Sequence, residues 1–300
     1  MPIEVHSAAC GIEFRDFPCN AINHNRIIGA ESGKAMPTVT ENIEKWDREY
    51  DSTKQGDEWS VAWGGPAMQW YGTLLPRIQR FVPTTGILEI ACGYGRWTQF
   101  LQKLCDHLVA IDISEKCIET CKQRLADCAH IEYHVNDGKS LAMLPDHSID
   151  FAFSFDSLVH ADESVLEAYI SQLPRILKAE GAAFFHHSNL GAYARQIAAI
   201  GRVPKLKGVL ARLGAWDRTH HWRDPGVSAG VVKTQAETHG LVCASQEIVH
   251  WGTRRARIDC FTIVTTNSSK HAKESQILVN DNFMSEAENL RRLSPLYRRG

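Results

Sequence analysis

Apolar positions follow two alternating spacings from residue 86 onward, and the alternation predicts the secondary structure. Five short apolar runs are typical of buried strands: 86–91, 107–112, 130–135, 149–155 and 182–187. Between these runs, apolar residues recur at every third or fourth position, which predicts amphipathic helices. One such stripe is formed by Trp97, Phe100, Leu101 and Leu104. Strands that alternate with helices indicate a parallel sheet with right-handed crossovers.

The pattern changes at the carboxyl end of this region. Apolar runs at 241–250 and 259–266 have no helix between them, so we expect an antiparallel hairpin. The predicted fold is therefore α/β: a doubly wound, mostly parallel seven-stranded sheet with helices on both faces and an antiparallel last strand. We expect Gly181 to end the helix before the fifth strand, and Pro295 to stop a tail helix at 283–293.

Four regions follow from these patterns. Residues 1–40 lack periodicity and are expected to be mobile. Residues 41–85 hold four of the eight tryptophans and are expected to pack on the core or cover a site. The main domain covers 86–266 with an insertion at 190–226, and a polar tail covers 267–300.

Composition excludes several classes of protein. Lys and Arg number 33 against 35 Asp and Glu, a net charge of -2 that argues against a nucleic-acid or membrane-coating protein. No apolar run approaches the roughly 18 residues of a membrane span, and no secretory signal is apparent. The nine cysteines form no CxxC pair, which favours reduced thiols and a cytoplasmic location.

The loop after the first predicted strand carries the candidate chemistry. Ligands of open α/β sheets bind beyond the carboxyl ends of the strands, and this loop reads Glu-Ile-Ala-Cys-Gly-Tyr-Gly from Glu89 to Gly95. Gly93 and Gly95 allow close approach of a ligand to the backbone. The dinucleotide fingerprint fails because its third glycine falls on Thr98. Glu89 would repel phosphate and suits a cofactor with a cationic end.

The segment LEIACGYGRWT resembles the first motif of class I S-adenosylmethionine-dependent methyltransferases, with Ala91 where that family usually has glycine. Alanine is small, so we expect tolerance with a slightly wider turn. The resemblance covers roughly 86–266 and implies S-adenosylmethionine as cofactor. It implies that Asp112 binds the ribose hydroxyls and that Asp137 accepts from the adenine amine. The remaining implied cofactor positions are Trp97, Ile113, Asn136, Gly138 and Phe155, with Trp59 or Trp63 as a cover.

Each motif also has a plainer interpretation: a solvated charge for Glu89, a helix cap for Asp112, a turn for Asp137 and core packing for the tryptophans. Three motifs in order, each at a strand end, favour the cofactor site.

The sequence signals for the methyl acceptor are less specific than those for the cofactor. Family members that methylate exocyclic base nitrogens carry [DN]-P-P-[FY] after the fourth strand, whereas this chain has Phe155-Asp156-Ser157-Leu158. We therefore expect a hydroxyl acceptor on a small molecule, and no nucleic acid. The catalytic candidates are Asp156, His160 as general base, and His187, although His160 could also pack against the next helix. Strand alternation allows at most one of His186 and His187 to reach the pocket. These residues form no recognised metal-ligand spacing, so no metal is expected.

The insertion is basic. Seven Lys and Arg against two Asp lie between Leu190 and Pro225, which suggests an anionic acceptor such as a phosphorylated or nucleotide sugar, or a solvated helix face. We expect Asn189, His221 and Arg223 to bind the substrate.

The sequence thus predicts a methyltransferase that acts on a hydroxyl of a small or glycosyl, possibly anionic, acceptor. Its oligomeric state stays open. The alternatives are an NAD(P)-dependent oxidoreductase and a non-catalytic cofactor- or partner-binding module.

Overall fold

The computed structural model describes residues 39–44, 50–201, 223–251, 256–272 and 275–297. The expected mobile segment 1–40 and the substrate candidate His221 therefore lie outside the described residues, apart from the first positions of one helix. The eight strands are β1 Thr84–Ile90, β2 Cys105–Asp112, β3 Ile131–Val135, β4 Ile149–Ser154, β5 Leu177–Ser188, β6 Leu241–Val249, β7 Asp259–Thr266 and β8 Gln276–Asn280.

The strands form one mixed sheet in the order β3-β2-β1-β4-β5-β7-β6-β8. Strands β1 to β5 run parallel, and β7 runs antiparallel to both β5 and β6. The predicted doubly wound sheet and its antiparallel strand are confirmed. The strand order reverses between β1 and β4, and this reversal opens a crevice at the carboxyl edge.

The predicted number of strands, seven, is wrong by one. Strand β8 pairs in parallel with β6 at the end of the sheet. Its apolar residues Ile277, Leu278 and Val279 are all exposed, so β8 lacks the alternation of a half-buried strand. That alternation was the signal used to find strands, and an exposed edge strand does not carry it.

Helices cover both faces of the sheet. They are α1 Val39–Glu44, α2 Pro66–Gln69, α3 Leu75–Ile78, α4 Thr98–Leu101, α5 Glu115–Arg124, α6 Glu163–Ile176, α7 Ala194–Gly201, α8 Ala229–Thr238 and α9 Phe283–Tyr297. A π-helical turn, Trp70–Leu74, joins α2 to α3, and the 3-10 turns are Ser52–Lys54, Asp57–Trp63, Gln102–Leu104, Leu158–His160 and Leu190–Tyr193.

Side-chain caps start the longer helices. Ser114 accepts from the Cys117 N–H at the start of α5, as the sequence predicts. Asp162 and Ser228 cap α6 and α8 in the same way. Because each cap satisfies an amide that the first turn leaves unpaired, the loops before these helices are fixed at the carboxyl edge of the sheet.

The core has two layers, because alternate residues of each strand point to opposite faces. On one face, Leu88 packs with the buried side of α6, including Ile170 and Leu173. On the other face, Ile87 packs with an aromatic cluster of Trp63, Trp70, Trp97, Phe151, Phe153, Phe184 and Phe283. The aromatic segment before β1 thus packs on the core and meets α9.

Two predicted helix ends are wrong. Gly181 does not cap α6; it lies inside β5, because Leu177 already pairs with Ile149 of β4. Pro295 does not stop α9, which continues to Tyr297. Proline in the last turn removes one helix hydrogen bond, and the neighbouring Ser294 is anchored by donating to the Gly64 carbonyl at 3.0 Å.

Candidate functional site

A cleft opens at the carboxyl edge of the sheet, where the strand order reverses. Its lining comes from the loops after β1, β2, β3 and β4, from α6 and from the segment before β1. The lining residues that carry the argument are Trp59, Ala91, Gly93, Tyr94, Arg96, Trp97, Asp112, Ile113, Gly138, Phe155, Asp156, Ser157, His160, Asp162 and Tyr169. A second concavity lies at the opposite edge, between the starts of β5 and β6, and its described lining holds no carboxylate.

The two glycines of the loop after β1 have different structural roles. Gly93 has φ +55°, and a Cβ built there would meet no atom within 4 Å. Gly95 has φ +84°, and its Cβ would lie 2.9 Å from the Cys121 sulfur. Gly93 therefore leaves space for a ligand in the cleft, whereas Gly95 allows α5 to pack closely under the loop.

Ala91 adopts the left-handed conformation that favours glycine, with φ +59°. An alanine there costs about 1–2 kcal/mol. The Ala91 carbonyl accepts from the Ser157 hydroxyl at 3.0 Å. This bond ties the loop after β1 to the loop after β4, so the two sides of the cleft are joined at its base.

Asp112 ends β2 and faces the cleft. Its Oδ2 accepts from the Gly93 N–H at 2.8 Å, and its Oδ1 accepts from the Ser114 N–H at 2.9 Å. These two bonds fix the orientation of the carboxylate against the glycine turn. The structure thus brings Asp112 and Gly93 together, as the sequence predicts.

Glu89 does not reach the cleft lining. Its side chain is buried in β1, and burial raises the pKa of the carboxyl well above its usual range, partly offset by a hydrogen bond with Thr98. Its Oε2 is buried without a hydrogen-bond partner. The expected contact from Glu89 to the cationic end of a cofactor is therefore not a direct one in this structure.

Of the residues predicted to lie at the adenine of the cofactor, only Gly138 lines the cleft. Asp137 is exposed and accepts at one oxygen from the N–H groups of Lys139 and Ser140. These bonds lower the pKa of Asp137. Asn136 donates to the Tyr169 hydroxyl at 3.0 Å and does not line the cleft. The turn geometry that Asp137 stabilises directs its side chain outward.

An aromatic wall encloses the middle of the cleft. Trp59, Trp97 and Phe155 line it as predicted, and so does Ile113. Trp63, the alternative cover, is instead 1% exposed in the core.

Arg96 is the functional candidate that sequence reasoning missed. Its guanidinium carbon lies 5.3 Å from the Trp59 ring centre and 4.6 Å from that of Trp97. Nη2 lies 2.7 Å from Oδ2 of Asp156. A charged residue immediately after Gly-x-Gly was the available signal. Asp112, Asp156 and Asp162 outnumber this single guanidinium in the described lining, which favours a cationic ligand.

Asp156 and His160 line the part of the cleft that follows β4. Asp156 follows β4 with φ +63°, another non-glycine residue in the left-handed region. His160 ends a short 3-10 turn after it. Both predicted candidates therefore face the same space as Gly93 and Asp112.

His187, predicted as a catalytic candidate, does not reach the cleft. It is fully buried: Nδ1 donates to the Ser188 carbonyl at 2.7 Å, and Nε2 accepts from the Thr262 hydroxyl at 2.7 Å. Burial lowers its pKa to about 4, so the imidazole is neutral. Strand alternation points His187 away from the cleft, and His186 occupies the other face of β5.

Two residues predicted to bind the substrate, Asn189 and Arg223, instead join elements of the fold. Asn189 donates to the Arg257 carbonyl and accepts from the Ala229 N–H, which joins the end of β5 to α8. Arg223 forms a buried two-point ion pair with Asp259 of β7. Neither lines the cleft. Most of the basic insertion, 202–222, lies outside the described residues.

Within the described part of the chain, no helix is both long and apolar enough to cross a bilayer. The same residues contain no group of three His, Cys, Asp or Glu arranged to hold a metal ion.

Comparison with known proteins identifies the domain. Residues 87–181 match the family model described as a methyltransferase domain. A phosphoethanolamine N-methyltransferase of Triticum aestivum is 27% identical over 117 residues, 38% of this chain and 23% of that protein. Nodulation protein S of Bradyrhizobium diazoefficiens is 27% identical over 77 residues, 26% of this chain and 37% of that protein. The chain thus spans well under half the length of these curated relatives.

Solved structures match parts of this chain at low identity. A SAM-dependent methyltransferase from Aquifex aeolicus is 14% identical with a TM-score of 0.47, covering 72% of this chain and 98% of its own. Together, the matched family, the sheet order and the glycine turn at the carboxyl edge agree. Residues 87–181 therefore carry a methyltransferase domain, an enzyme domain of the kind that uses S-adenosylmethionine as its cofactor.

Proposed function

We propose that the protein transfers the methyl group of S-adenosylmethionine to a polar small-molecule or sugar-type acceptor. The observation that carries the proposal is one continuous cleft with two kinds of wall. Gly93 and Asp112 form one side, and Asp156 and His160 form the other. A donor held on the first side would present its reactive end to groups that can bind or deprotonate an acceptor on the second.

The residues present fit the cofactor. Gly93 leaves the space that a Cβ would fill, and the oriented carboxylate of Asp112 lies beside it as an acceptor for sugar hydroxyls. The excess of carboxylates over cations in the lining suits a sulfonium compound that carries a net positive charge. Trp59, Trp97 and Phe155 offer aromatic faces, which attract cations and exclude water.

When bound, S-adenosylmethionine would supply a methyl group on a positively charged sulfur. The acceptor attacks the methyl carbon in line with the carbon–sulfur bond, and the neutral thioether sulfur is the leaving group. The chain's own groups position the acceptor and control its proton. For a hydroxyl acceptor, His160 is the general base, because an imidazole accepts a proton near neutral pH. Asp156 lies within the same wall and can bind a polar group of the acceptor through Oδ1.

An amine acceptor is the second candidate. The carboxylates Asp156 and Asp162 would bind an ammonium group, which a hydroxyl acceptor does not need. The wheat relative is named for N-methylation of phosphoethanolamine, which supports this candidate. An ammonium must lose a proton before it attacks, so His160 keeps its role as base in either case.

The oxidoreductase alternative lacks support, because Thr98 occupies the third glycine position of the dinucleotide motif. The non-catalytic alternative makes a different prediction from ours: removal of His160 would leave every measurable activity intact.

Two measurements test the proposal. Calorimetry should detect binding of S-adenosylhomocysteine to the purified protein, and no binding would refute it. A screen of hydroxyl and amine acceptors, read by release of S-adenosylhomocysteine, then identifies the acceptor class. His160→Ala should lower turnover by about 10²-fold or more. His107→Ala, which removes a half-exposed imidazole near the start of β2, is the matched control and should keep full activity.

A further inference from the structure

We propose that His186, buried beneath the cleft, is a positioning residue that holds Asp156 in its active conformation. The inference rests on the proposed function, because it assumes that Asp156 faces the bound substrate. His186 itself does not line the cleft and is fully buried at the end of β5.

The contact is to the backbone of Asp156. The Asp156 N–H donates to Nδ1 of His186 at 3.2 Å. Asp156 has φ +63°, in the left-handed region that aspartate enters more readily than most residues other than glycine but still at a cost. The imidazole supplies an acceptor for the partly buried amide of this residue.

The carboxylate of Asp156 is held from the other side. Oδ2 pairs with Nη2 of Arg96 at 2.7 Å, and Arg96 lies between the rings of Trp59 and Trp97. Asp156 itself lines the cleft, and within the described residues no hydrogen bond is found to its Oδ1. His186 thus fixes the backbone of Asp156, Arg96 fixes one carboxylate oxygen, and the other oxygen is left for a ligand.

A buried ion pair lies behind His186. Nε2 of His186 lies 3.4 Å from Oδ2 of Asp259, and Asp259 is paired with Arg223. Burial alone would raise the pKa of Asp259, but Arg223 beside it holds that pKa well below its usual range. An ionised carboxylate beside Nε2 favours the ring proton on Nε2, which leaves the Nδ1 lone pair for the Asp156 N–H.

The surroundings of His186 explain why an imidazole matters there. Its ring centre lies 4.7 Å from Phe155, 5.0 Å from Trp251 and 4.9 Å from Phe261. An apolar residue could fill this aromatic cage, but it could not accept from the Asp156 amide. His187 on the other face of β5 has no such link to the cleft, so it is a matched control.

The test is a mutant cycle read by S-adenosylhomocysteine calorimetry. His186→Gln removes the acceptor near the Asp156 amide, whereas His186→Asn places an amide oxygen close to where Nδ1 lies. We expect His186→Gln to weaken binding about tenfold, as Asp156→Asn does, because both free Arg96, whose guanidinium lies against the cofactor candidates Trp59 and Trp97. His186→Asn should restore most of the affinity. The double variant Asp156→Asn with His186→Gln should bind no more weakly than the worse single variant.

His187→Gln controls for the loss of a buried imidazole and should bind S-adenosylhomocysteine as the unmodified protein does. Equal losses in His186→Gln and His187→Gln, or additive effects in the cycle, would overturn the inference. Absence of binding to the unmodified protein would instead refute the proposed function.

Nuclear magnetic resonance on the unmodified protein decides the contact even where the variants fail to fold. The Asp156 amide should exchange slowly with solvent, and the His186 nitrogens should show a proton on Nε2. A proton on Nδ1, or rapid exchange of the Asp156 amide, would contradict the inference.

Discussion

The cofactor side and the acceptor side of the cleft differ in how directly the sequence specifies them. On the cofactor side, Gly93 and Asp112 lie within a few residues of a strand end and meet through one hydrogen bond of 2.8 Å. On the acceptor side, Asp156 is held by His186 from β5 and by Arg96 from the loop after β1. Local turns build the first side, and long-range packing builds the second.

This comparison shows that a position at the end of a strand marks a residue as a candidate for the site. It does not show whether the side chain of that residue reaches the cleft. His187 and Asn189 also lie at the end of β5, yet both are buried and hydrogen-bonded within the core. Successive side chains at the end of a strand point to opposite faces of the sheet, and only those on one face reach the cleft.

The largest effect is expected at the turn of the cofactor side. Gly93→Val should abolish detectable binding of S-adenosylhomocysteine in calorimetry, because a branched side chain would enter the open space and strain a residue with φ +55°. Gly240→Val is the matched control, since Gly240 also has a positive φ and open space at its Cβ but lies at the opposite edge. Equal loss of binding in both variants would mean that strain, not occupied space, is responsible.

His187, buried in β5 on the face away from the cleft, predicts a dependence of stability on pH. The pKa of His187 is lowered from 6.5 to about 4, so below pH 6.5 the unfolded chain binds a proton that the folded chain refuses. Stability should therefore fall by roughly 3 kcal/mol as the pH falls from 6.5 to 4. His187→Gln should remove this part of the slope in urea denaturation series.

His107→Gln is the control for that slope, because His107 is half exposed and should leave it unchanged. A steep slope that survives His187→Gln would place the titrating group elsewhere.

The carboxylates that follow β2 and β3 give an intermediate effect. Asp112→Ala should weaken S-adenosylhomocysteine binding by roughly 1.5–3 kcal/mol, since it removes charge-assisted hydrogen bonds. Asp137→Ala should change binding by less than about threefold, because its carboxylate caps an exposed turn. Comparable losses in both variants would restore Asp137 to the cofactor site.

The smallest effect is expected at Ala91. Ala91→Gly relieves the left-handed strain, worth about 1–2 kcal/mol, but adds flexibility to the unfolded chain, worth about 0.5–1 kcal/mol. The free energy of unfolding should rise by roughly 0.5 kcal/mol in urea denaturation. Ala152→Gly in β4, where no positive φ is relieved, should lower it. Destabilisation by Ala91→Gly to the same extent would show that the turn at residue 91 is not strained.

Sequence reasoning located β1 to β7 because buried strands and amphipathic helices leave periodic signals. It also located the loops at the carboxyl edge, since chain order in an α/β sheet places them there. Arg96 was missed although it directly follows the Gly-x-Gly turn, because its pairing with Asp156 joins two loops that are distant in the chain. Tyr169 was missed because its helix reaches the cleft only in the folded chain. Strand β8 stayed hidden because its apolar residues are exposed.

The sequence by itself determined the α/β sheet, the glycine turn and the acidic residue that ends β2, because each depends on spacing and backbone preference over a few residues. Only the tertiary structure decided that Glu89 and His187 are buried, that Asp137 caps a turn, and that Asp156 meets Arg96. The direction of a side chain at a strand end depends on which neighbours fill the space around it. Those neighbours come from distant parts of the chain, and local spacing carries no record of them.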